Sequence, residues 1–286
     1  MYFDEDMLLD IRLNILNKYV SKFVITEALY THSGNKRNLR FDMNKFSKFK
    51  NKIQYIVVES EPDTIEDLLN HDTKDIVNSK IINNALRREN HQRNQIKLGI
   101  KNCDNDDLII ISDIDEIPNL TDFQHKGKVS IFLQKMFYYK FNLKHPNLIW
   151  TGSKACKKKE LISPQWLRNI KPKKYNFWRL DTFFSKKKYI NVNFIENGGW
   201  HFTNIKKAAD IHYKLLNSLH HLEYEESKIS LENLKTLINE KKIMYNHNAD
   251  KKEKKWKSSI SLNKIEINEL PKYLVENKSR YLDFFD

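Results

Sequence analysis

The sequence predicts an α/β protein with a mixed, mostly parallel sheet flanked by helices and a helical carboxyl-terminal part. Three short apolar runs, at residues 22–28, 53–59 and 107–112, carry this prediction. They are rich in β-branched residues, as buried strands usually are. Helical patterns separate them, and such alternation is typical of a sheet whose ligands gather at the carboxyl ends of its strands. We expect residues 107–112 to form an interior strand.

The spacing of apolar residues predicts the remaining elements. Leu8, Ile11, Ile15 and Tyr19 recur on one helical face. A longer pattern with a strongly polar centre predicts a second helix. Besides these three strands, we expect helices at 4–20, 75–100, 205–221 and 231–245. We also expect strands at 135–143 and 189–195. The lysine-rich residues 250–257 are expected to form a solvated loop.

Composition indicates a globular protein. Hydrophobic residues make up 40% of the 286 residues, and 50 Lys and Arg against 37 Asp and Glu leave a formal charge of +13. Such a charge suits anionic partners. The abundance of Lys, Asn and Ile could equally reflect the base composition of the gene. Two cysteines are too few for a disulfide framework.

No apolar run approaches the roughly 20 residues of a membrane span, and an acidic segment follows Met1 in place of a signal-peptide pattern. We therefore expect a cytoplasmic protein without a transmembrane segment. Peripheral contact with a membrane stays compatible with this expectation.

Acidic residues end the third apolar run, in the segment SDIDEIP at 112–118. Asp113 and Asp115 can supply hard oxygen ligands to Mg²⁺ or Mn²⁺ and leave coordination sites for phosphate oxygens. Carboxylates also end strands simply as turn formers. Glu116 is either a partner that orients the two aspartates or an ordinary carboxylate at a helix start.

The order of several motifs identifies a resemblance. FDEDMLLDIRL, KFVITEA, THSG, ENHQRN, DDLIIISDIDEIP and GGWHF follow one another as in glycosyltransferase family 17. That family includes the β-1,4-N-acetylglucosaminyltransferase of bisecting N-glycans. The resemblance spans roughly residues 3–225, and SDIDEIP with GGWHF is its most distinctive part.

The resemblance implies a GT-A-like nucleotide-diphospho-sugar transferase fold over residues 1–225, with residues 226–286 as a helical extension packed on the same domain. It also implies a UDP-sugar donor, with UDP-N-acetylglucosamine as the expected donor, inversion at the anomeric carbon, and Mn²⁺ or Mg²⁺ at Asp113 and Asp115. Members of the family usually begin with a strand just before the FDE segment. Only Met1 and Tyr2 stand there, so this strand is expected to be lost or misassigned.

The GGWHF segment supplies the candidate third metal ligand. His201 carries an imidazole suited to Mn²⁺, and Gly198 and Gly199 allow close approach of the backbone to a ligand. A structural histidine is the alternative. Trp200 either stacks on a sugar ring or belongs to the core.

Basic side chains are the candidates for the diphosphate. Arg93 and Arg168 offer paired donors that match phosphate oxygens, and Lys214 could offset phosphate charge. Arg93 could instead form an intrahelical pair with Glu89. Four further candidates lie on or just after the first predicted strand, at 22–28, where loops reach a nucleotide: Glu27, His32, Ser33 and Gly34.

Inverting transfer needs a carboxylate that takes the proton of the acceptor hydroxyl. The sequence does not single one out, and the candidates in order are Glu196, Asp181 and Glu223. The expected partners are a nucleotide-sugar donor and a glycan or glycoconjugate acceptor, with no nucleic acid. The alternatives are a metal-dependent nuclease or nucleotidyltransferase, and a carbohydrate-binding relative without catalytic activity.

Overall fold

A computed structural model describes residues 1–176, 178–179, 181–247, 255–256, 258 and 260–286. The predicted loop at 250–257 lies almost entirely outside the described residues. The α-helices are α1 (Asp6–Leu16), α2 (Lys74–Asn94), α3 (Ile96–Gly99), α4 (Pro164–Asn169), α5 (Asp181–Phe184), α6 (Ala208–Asn217), α7 (His221–Ser227), α8 (Leu231–Asn239) and α9 (Lys272–Glu276). Short 3₁₀ helices span Met43–Phe49, Lys158–Glu160, Ile267–Glu269 and Lys278–Phe284.

Eleven strands form three sheets in the described part of the chain. The strands are β1 (Phe23–Ala28), β2 (Ile53–Val58), β3 (Leu108–Ile111), β4 (Glu116–Pro118), β5 (Val129–Phe132), β6 (Gln134–Tyr138), β7 (Leu143–Trp150), β8 (Lys154–Lys157), β9 (Val192–Ile195), β10 (Gly199–Thr203) and β11 (Asn263–Lys264). Their orders are β1-β2, β11-β7-β6-β10-β4 and β3-β8-β5-β9.

The mixed α/β class is confirmed, but the expectation of a mostly parallel sheet is wrong. The pairs β1–β2, β6–β10 and β5–β9 are parallel, and all other pairs are antiparallel. After residue 128 the chain turns back through short connections, such as the one between β6 and β7. Short connections join antiparallel strands, whereas parallel neighbours need a long crossover. Strand β3 exists as expected, but the expectation of an interior strand is wrong, since among the described residues β3 lies at the edge of its sheet and pairs with β8 alone.

The first half of the chain builds the main core. Helix α1 buries Leu9, Ile11, Leu13 and Leu16 in a cluster that extends to strands β4 and β10. The expected face is confirmed only in part, because Leu8 and Ile11 are buried but Tyr19 lies beyond the end of the helix and is exposed. Helix α2 begins at a Thr73 side chain that accepts a hydrogen bond from the backbone N–H of Ile76. No strand precedes α1 in the described residues.

Residues after 226 pack on the preceding part. Leu234, Ile243 and Leu262 share one apolar cluster with Met136 of β6 and Ile211 of α6. Strand β11 extends the central sheet by pairing with β7. The boundary at residue 225 stays a prediction. Among the described residues no helix has the length and apolarity needed to cross a bilayer.

Gly199 fixes the start of β10, the strand that carries His201. Its φ of +119° is a conformation that L side chains rarely adopt, and an added Cβ would meet Ile117 O and lie 2.6 Å from Asn119 N. Both contacts are with backbone atoms, which cannot turn away. Gly34 has a similar φ of +102°, but the nearest atoms to its Cβ would belong to the Arg88 guanidinium, at 2.9 Å, which is the end of a long side chain and not backbone.

Replacement of Gly199 by alanine should therefore lower the free energy of unfolding by roughly 3 kcal/mol, because strain and a backbone clash combine. Gly34→Ala, which isolates the conformational strain, should lower it by about 1 kcal/mol. Urea unfolding followed by circular dichroism measures both. Equal losses for the two variants would contradict the close approach of β10 to β4.

Candidate active site

A buried arginine, Arg12, donates several hydrogen bonds to the acidic segment 112–118. The Arg12 guanidinium of α1 donates to Asp113 O at 3.2 Å, to Ser112 Oγ at 2.5 Å and to Glu116 O. Burial of the guanidinium lowers the pKa of Arg12 to about 10, so Arg12 stays charged at neutral pH. The segment therefore leaves β3 in a fixed turn that points its carboxylates away from α1.

Asp113 is paired with two guanidinium groups. Arg168 of α4 donates to Oδ2 at 2.9 Å, and Arg93 of α2 lies 3.2 Å from Oδ1. Burial opposes the charged form, but the two arginines outweigh it and hold the pKa of Asp113 well below its usual range. Arg93 also forms the expected intrahelical pair with Glu89 at 2.8 Å, and its contact with a diphosphate stays a prediction.

Glu116 lies in a strand and not at a helix start. Its carboxylate is 1% exposed and accepts hydrogen bonds from Arg168 Nη1 at 2.6 Å, Trp150 Nε1 at 2.6 Å and Asp113 N at 3.0 Å. All of its neighbours are donors, which satisfies the buried charge. The geometry therefore favours the orienting role, because Glu116 and Asp113 share Arg168.

Arg168 is itself held in place by a buried lysine. Lys154 of β8 donates to the carbonyl of Arg168 at 2.5 Å and to that of Ile170 at 2.6 Å, where α4 ends. Burial lowers the pKa of Lys154 to about 7. The lysine satisfies carbonyls that a helix end leaves without partners.

Asp115 faces different partners. Its Oδ1 lies 3.7 Å from His201 Nε2 and its Oδ2 lies 3.6 Å from Lys214 Nζ. Burial raises the pKa, but Lys214 and His201 prevail and lower the pKa of Asp115 to about 2. Lys214 also lies 3.8 Å from Glu5 Oε1. The two aspartates thus stay ionised at neutral pH, each beside its own cations.

His201 stands next to Asp115 in a restrained orientation. Its ring stacks on Trp150 with centroids 4.6 Å apart, and the residue is 6% exposed. Its Nδ1 is buried and has no hydrogen-bond partner. Because Trp150 also donates to Glu116, one indole orders both the histidine and the carboxylate of the site.

A cavity of about 170 Å³ opens above these residues. Asp113, Asp115 and Lys214 line it together with Glu5 and the amino-terminal Met1. Further lining comes from Tyr2, Phe3, Tyr30, Thr31, His32, Arg37, Gln92, Ile114, Asn217 and Ser218. Carboxylates and cations from both halves of the chain therefore meet at one cavity.

The loop after β1 contributes to the cavity through His32. Its Nε2 lies 3.0 Å from Gln92 Oε1, and burial lowers its pKa. Ser33 and Gly34 follow it without lining the cavity, and the Ser33 hydroxyl contacts Thr31 Oγ1 at 2.8 Å.

Glu27 is fully buried below this loop. Its carboxylate accepts from Arg37 at 2.8 Å, from Tyr55 at 2.7 Å and from two backbone N–H groups, those of Arg40 and Phe41. Each oxygen is thereby satisfied. Glu27 shapes the loop that carries His32 and does not itself line the cavity.

Seven other predicted residues lie outside the cavity lining: Arg93, Arg168 and His201, which lie beside the two aspartates, and Trp200, Glu196, Asp181 and Glu223. Trp200 donates from Nε1 to Glu269 O at 2.8 Å and packs against the main core, which favours its core role. Glu196 is exposed in the turn between β9 and β10. Asp181 is paired with Arg179 and Lys188 at 2.8 Å each.

Glu223 is the most enclosed of the three candidate bases. Its side chain is 15% exposed, and Oε2 lies 3.6 Å from His220 Nδ1 and 3.3 Å from Trp256 Nε1. It belongs to α7, which follows the helix that carries Lys214.

Several residues of the site escaped the sequence reasoning. Glu5, Arg12 and Gln92 lie inside recognised motifs, so their motif membership was an available signal. Trp150 lies outside every motif, and only tertiary contacts show its role.

A comparison with known protein families identifies the family of this chain. The family model described as glycosyltransferase family 17 matches residues 1–155, more than half of the chain. The chain belongs to glycosyltransferase family 17. The match contains Glu5, Asp113 and Asp115, while Arg168, His201 and Lys214 lie beyond it. No curated protein and no solved structure matches the sequence.

The contribution of the Trp150 hydrogen bond to the stability of the protein can be measured. Trp150→Phe removes a hydrogen bond to a buried charge and should lower the free energy of unfolding by about 1.5–3 kcal/mol. Trp200→Phe is the matched control, because its lost hydrogen bond goes to a neutral carbonyl, and should cost about 0.5–1.5 kcal/mol. Urea unfolding gives both values. A Trp150 variant as stable as the control would show that the Glu116 contact contributes little.

Proposed function

We propose that the chain transfers a sugar, N-acetylglucosamine in the first instance, from a UDP-sugar to a glycan acceptor with inversion and with the help of a divalent metal ion. Membership of glycosyltransferase family 17 supports the class of reaction. The observation that carries the proposal is the pairing of Asp113 and Asp115 with separate cations at one cavity. Such an arrangement suits an anionic donor bound beside ionised carboxylates.

In this proposal, Arg93, Arg168 and Lys214 bind the diphosphate of the donor. In the described structure these cations neutralise Asp113 and Asp115. Guanidinium groups match phosphate oxygens with two parallel donors, and an ammonium acts as a point charge. We infer that the donor diphosphate shares these cations with the aspartates. His32 and Gln92 are two of the polar groups that line the same cavity and could contact the nucleoside.

The residues present fit a divalent metal ion at Asp115. Asp115 Oδ1 lies 3.7 Å from Nε2 of the His201 imidazole and Oδ2 lies 3.6 Å from Lys214 Nζ, so both distances exceed hydrogen-bonding distance and both oxygens can still accept a ligand. Asp113 differs, because guanidinium donors occupy both of its oxygens. Asp115 and His201 would therefore hold Mn²⁺ or Mg²⁺, with Asp113 nearby.

The described residues contain no group of three or more metal-ligating side chains. Phosphate oxygens and water would complete the coordination, as is usual for Mg²⁺ at nucleotides. When bound, the metal ion supplies charge neutralisation on the departing UDP. Lys214, whose pKa is raised by Asp115 and Glu5 against the effect of burial, keeps a positive charge at the same place.

The base that accepts the proton of the acceptor hydroxyl is proposed among Glu223, Glu196 and Asp181. Enclosure favours Glu223, because a carboxylate shielded from water acts more effectively on a bound hydroxyl. Asp181 already pairs with two basic side chains on the surface. We therefore place Glu223 first, although the sequence favoured Glu196.

Donor binding tests the proposal. In the presence of Mn²⁺, UDP-N-acetylglucosamine should raise the melting temperature, because ligand that binds the folded state stabilises it by about 2.7 kcal/mol at 100 times Kd. Asp115→Asn should abolish the Mn²⁺-dependent part of the shift. Asp106→Asn is the control, since Asp106 is exposed and pairs with the surface lysines Lys157 and Lys159. A full shift with the Asp115 variant would contradict the metal assignment, and a shift without turnover on any acceptor would indicate a non-catalytic relative.

Transfer should invert the anomeric configuration in one step. Proton NMR of the product sugar measures this directly, and retention would rule out a single displacement. Glu223→Gln should reduce turnover by about 10²–10⁴-fold, as for a lost general base, while UDP binding persists. Glu196→Gln and Asp181→Asn are the matched comparisons. If Glu196→Gln alone caused the large loss, the role of base would pass to Glu196.

A further inference from the structure

A strongly basic surface lies where the chain passes from α4 to β9. Residues 171–190 contain seven Lys and Arg but one acidic residue, Asp181. Asp181 already pairs with Arg179 and Lys188 at 2.8 Å each. The other five cations are exposed and form no ion pair with a described residue. They are Lys171, Lys173 and Lys174 in a first run, and Lys186 and Lys187 in a second.

Hydrogen bonds hold the two lysine runs side by side. Lys171 N–H donates to Lys187 O at 2.8 Å. The Trp166 indole of α4 donates to Lys186 O at 2.7 Å, and its ring lies against that of Tyr189 with centroids 6.0 Å apart. Trp166 belongs to the buried apolar cluster that includes strands β3 and β5. Both runs are therefore attached to the body of the protein at one place.

Two exposed aromatic side chains lie between these runs in the chain. Phe184 is 91% exposed, the highest value among the large apolar residues of the described chain, and Trp178 is 64% exposed. Thr182, between them, is buried, and its hydroxyl donates to Arg179 O at 2.7 Å. The backbone is thus folded back here while the two aromatic rings face solvent. Exposed apolar groups with a polar rim mark interaction sites. Together with the five lysines, these two side chains form what we call the basic surface.

An anionic lipid bilayer fits this combination of side chains. Clustered lysines are attracted to the negative potential of anionic headgroups, and each contributes about a fivefold gain in binding. Aromatic rings are enriched at the boundary between the headgroups and the acyl chains. The basic surface supplies both kinds of group.

Single-stranded RNA is the rival partner, because it is also attracted to lysines and stacks on aromatic rings. Proteins that bind such strands hold them in a basic groove. The two clearest cavities of the described structure, one beside Asp113 and one between β1 and β3, include no residue of the basic surface. Phe184 projects almost completely into solvent, which suits insertion into lipid better than stacking within a groove.

We propose that the basic surface binds peripherally to a membrane that contains anionic lipids. Phe184 and Trp178 enter the boundary between headgroups and acyl chains, and the five lysines contact the headgroup phosphates. The two contributions act together, since a small apolar insertion holds a protein on a bilayer only marginally without a polybasic patch. The proposal does not depend on sugar transfer, because no residue of the basic surface lines the candidate active site.

Co-sedimentation of the intact protein with lipid vesicles tests the proposal. The protein should bind vesicles of phosphatidylcholine mixed with an equal amount of phosphatidylglycerol, and should bind pure phosphatidylcholine at least about tenfold more weakly. Lys186→Gln combined with Lys187→Gln should weaken binding to the mixed vesicles by about tenfold or more, because two attracted charges are lost. Phe184→Ser should weaken it by about tenfold, because an apolar ring is lost from the lipid boundary.

Matched variants separate this surface from the overall positive charge of the protein. Lys235→Gln combined with Lys272→Gln removes the same charge from exposed positions on α8 and α9, helices that pack on other apolar clusters than Trp166 does. Leu282→Ser removes an exposed apolar side chain from the last 3₁₀ helix. Both controls should bind the mixed vesicles within about twofold of wild type, because charges away from the contact are screened at physiological salt.

Equal loss of binding in the Lys186 and Lys187 variant and in its lysine control would overturn the proposal, since net charge alone would then explain the attraction. Undiminished binding of Phe184→Ser would also overturn it, because the ring would then not enter the lipid. If the wild-type protein binds an RNA homopolymer but not the mixed vesicles, the surface belongs to a nucleic-acid site and the proposal is wrong.

Discussion

The guanidinium of Arg168 is the contact on which the candidate site depends. It binds Asp113 at 2.9 Å and Glu116 at 2.6 Å, and the side chains of these two residues are 27% and 1% exposed. Without this cation the buried charge of Glu116 would face the partly buried Asp113, and loss of one partner from a buried pair costs about 3–5 kcal/mol. Lys154 below and Trp150 beside it complete the network. The segment 112–118 can therefore present Asp115 to the cavity because Asp113 and Glu116 are already neutralised.

The fold brings distant parts of the chain to this network. Arg12 from α1, Arg93 from α2 and Arg168 from α4 converge on one turn after β3. Lys214 of α6 and His201 of β10 approach Asp115 from the carboxyl-terminal half. The amino-terminal half supplies the carboxylates together with Arg12 and Arg93, and the later half supplies Arg168, Lys214 and the imidazole of His201. Residues 1–155, which match the family, consequently form only part of the candidate site.

The sequence predicted those features that depend on local pattern. The strand at 107–112 and the carboxylates after it were predictable because an apolar run followed by acidic residues is a local signal. The antiparallel pairing of β3 with β8 depends on register between distant segments, which no local pattern encodes. Glu27 was expected at the donor, but Arg37 and Tyr55 bury it under the loop. Trp150 was missed for the same reason, since its role arises from tertiary contacts alone.

The central claim is that the cation-paired aspartates of segment 112–118 handle the diphosphate and metal of a nucleotide-sugar donor. Anomalous diffraction from crystals grown with Mn²⁺ and UDP tests it most directly. The account predicts a Mn²⁺ peak within coordination distance of Asp115 and His201, with Arg168 or Arg93 donating to a phosphate oxygen. A Mn²⁺ peak or a diphosphate bound away from Asp115, with every pair of Asp113 unchanged, would contradict it.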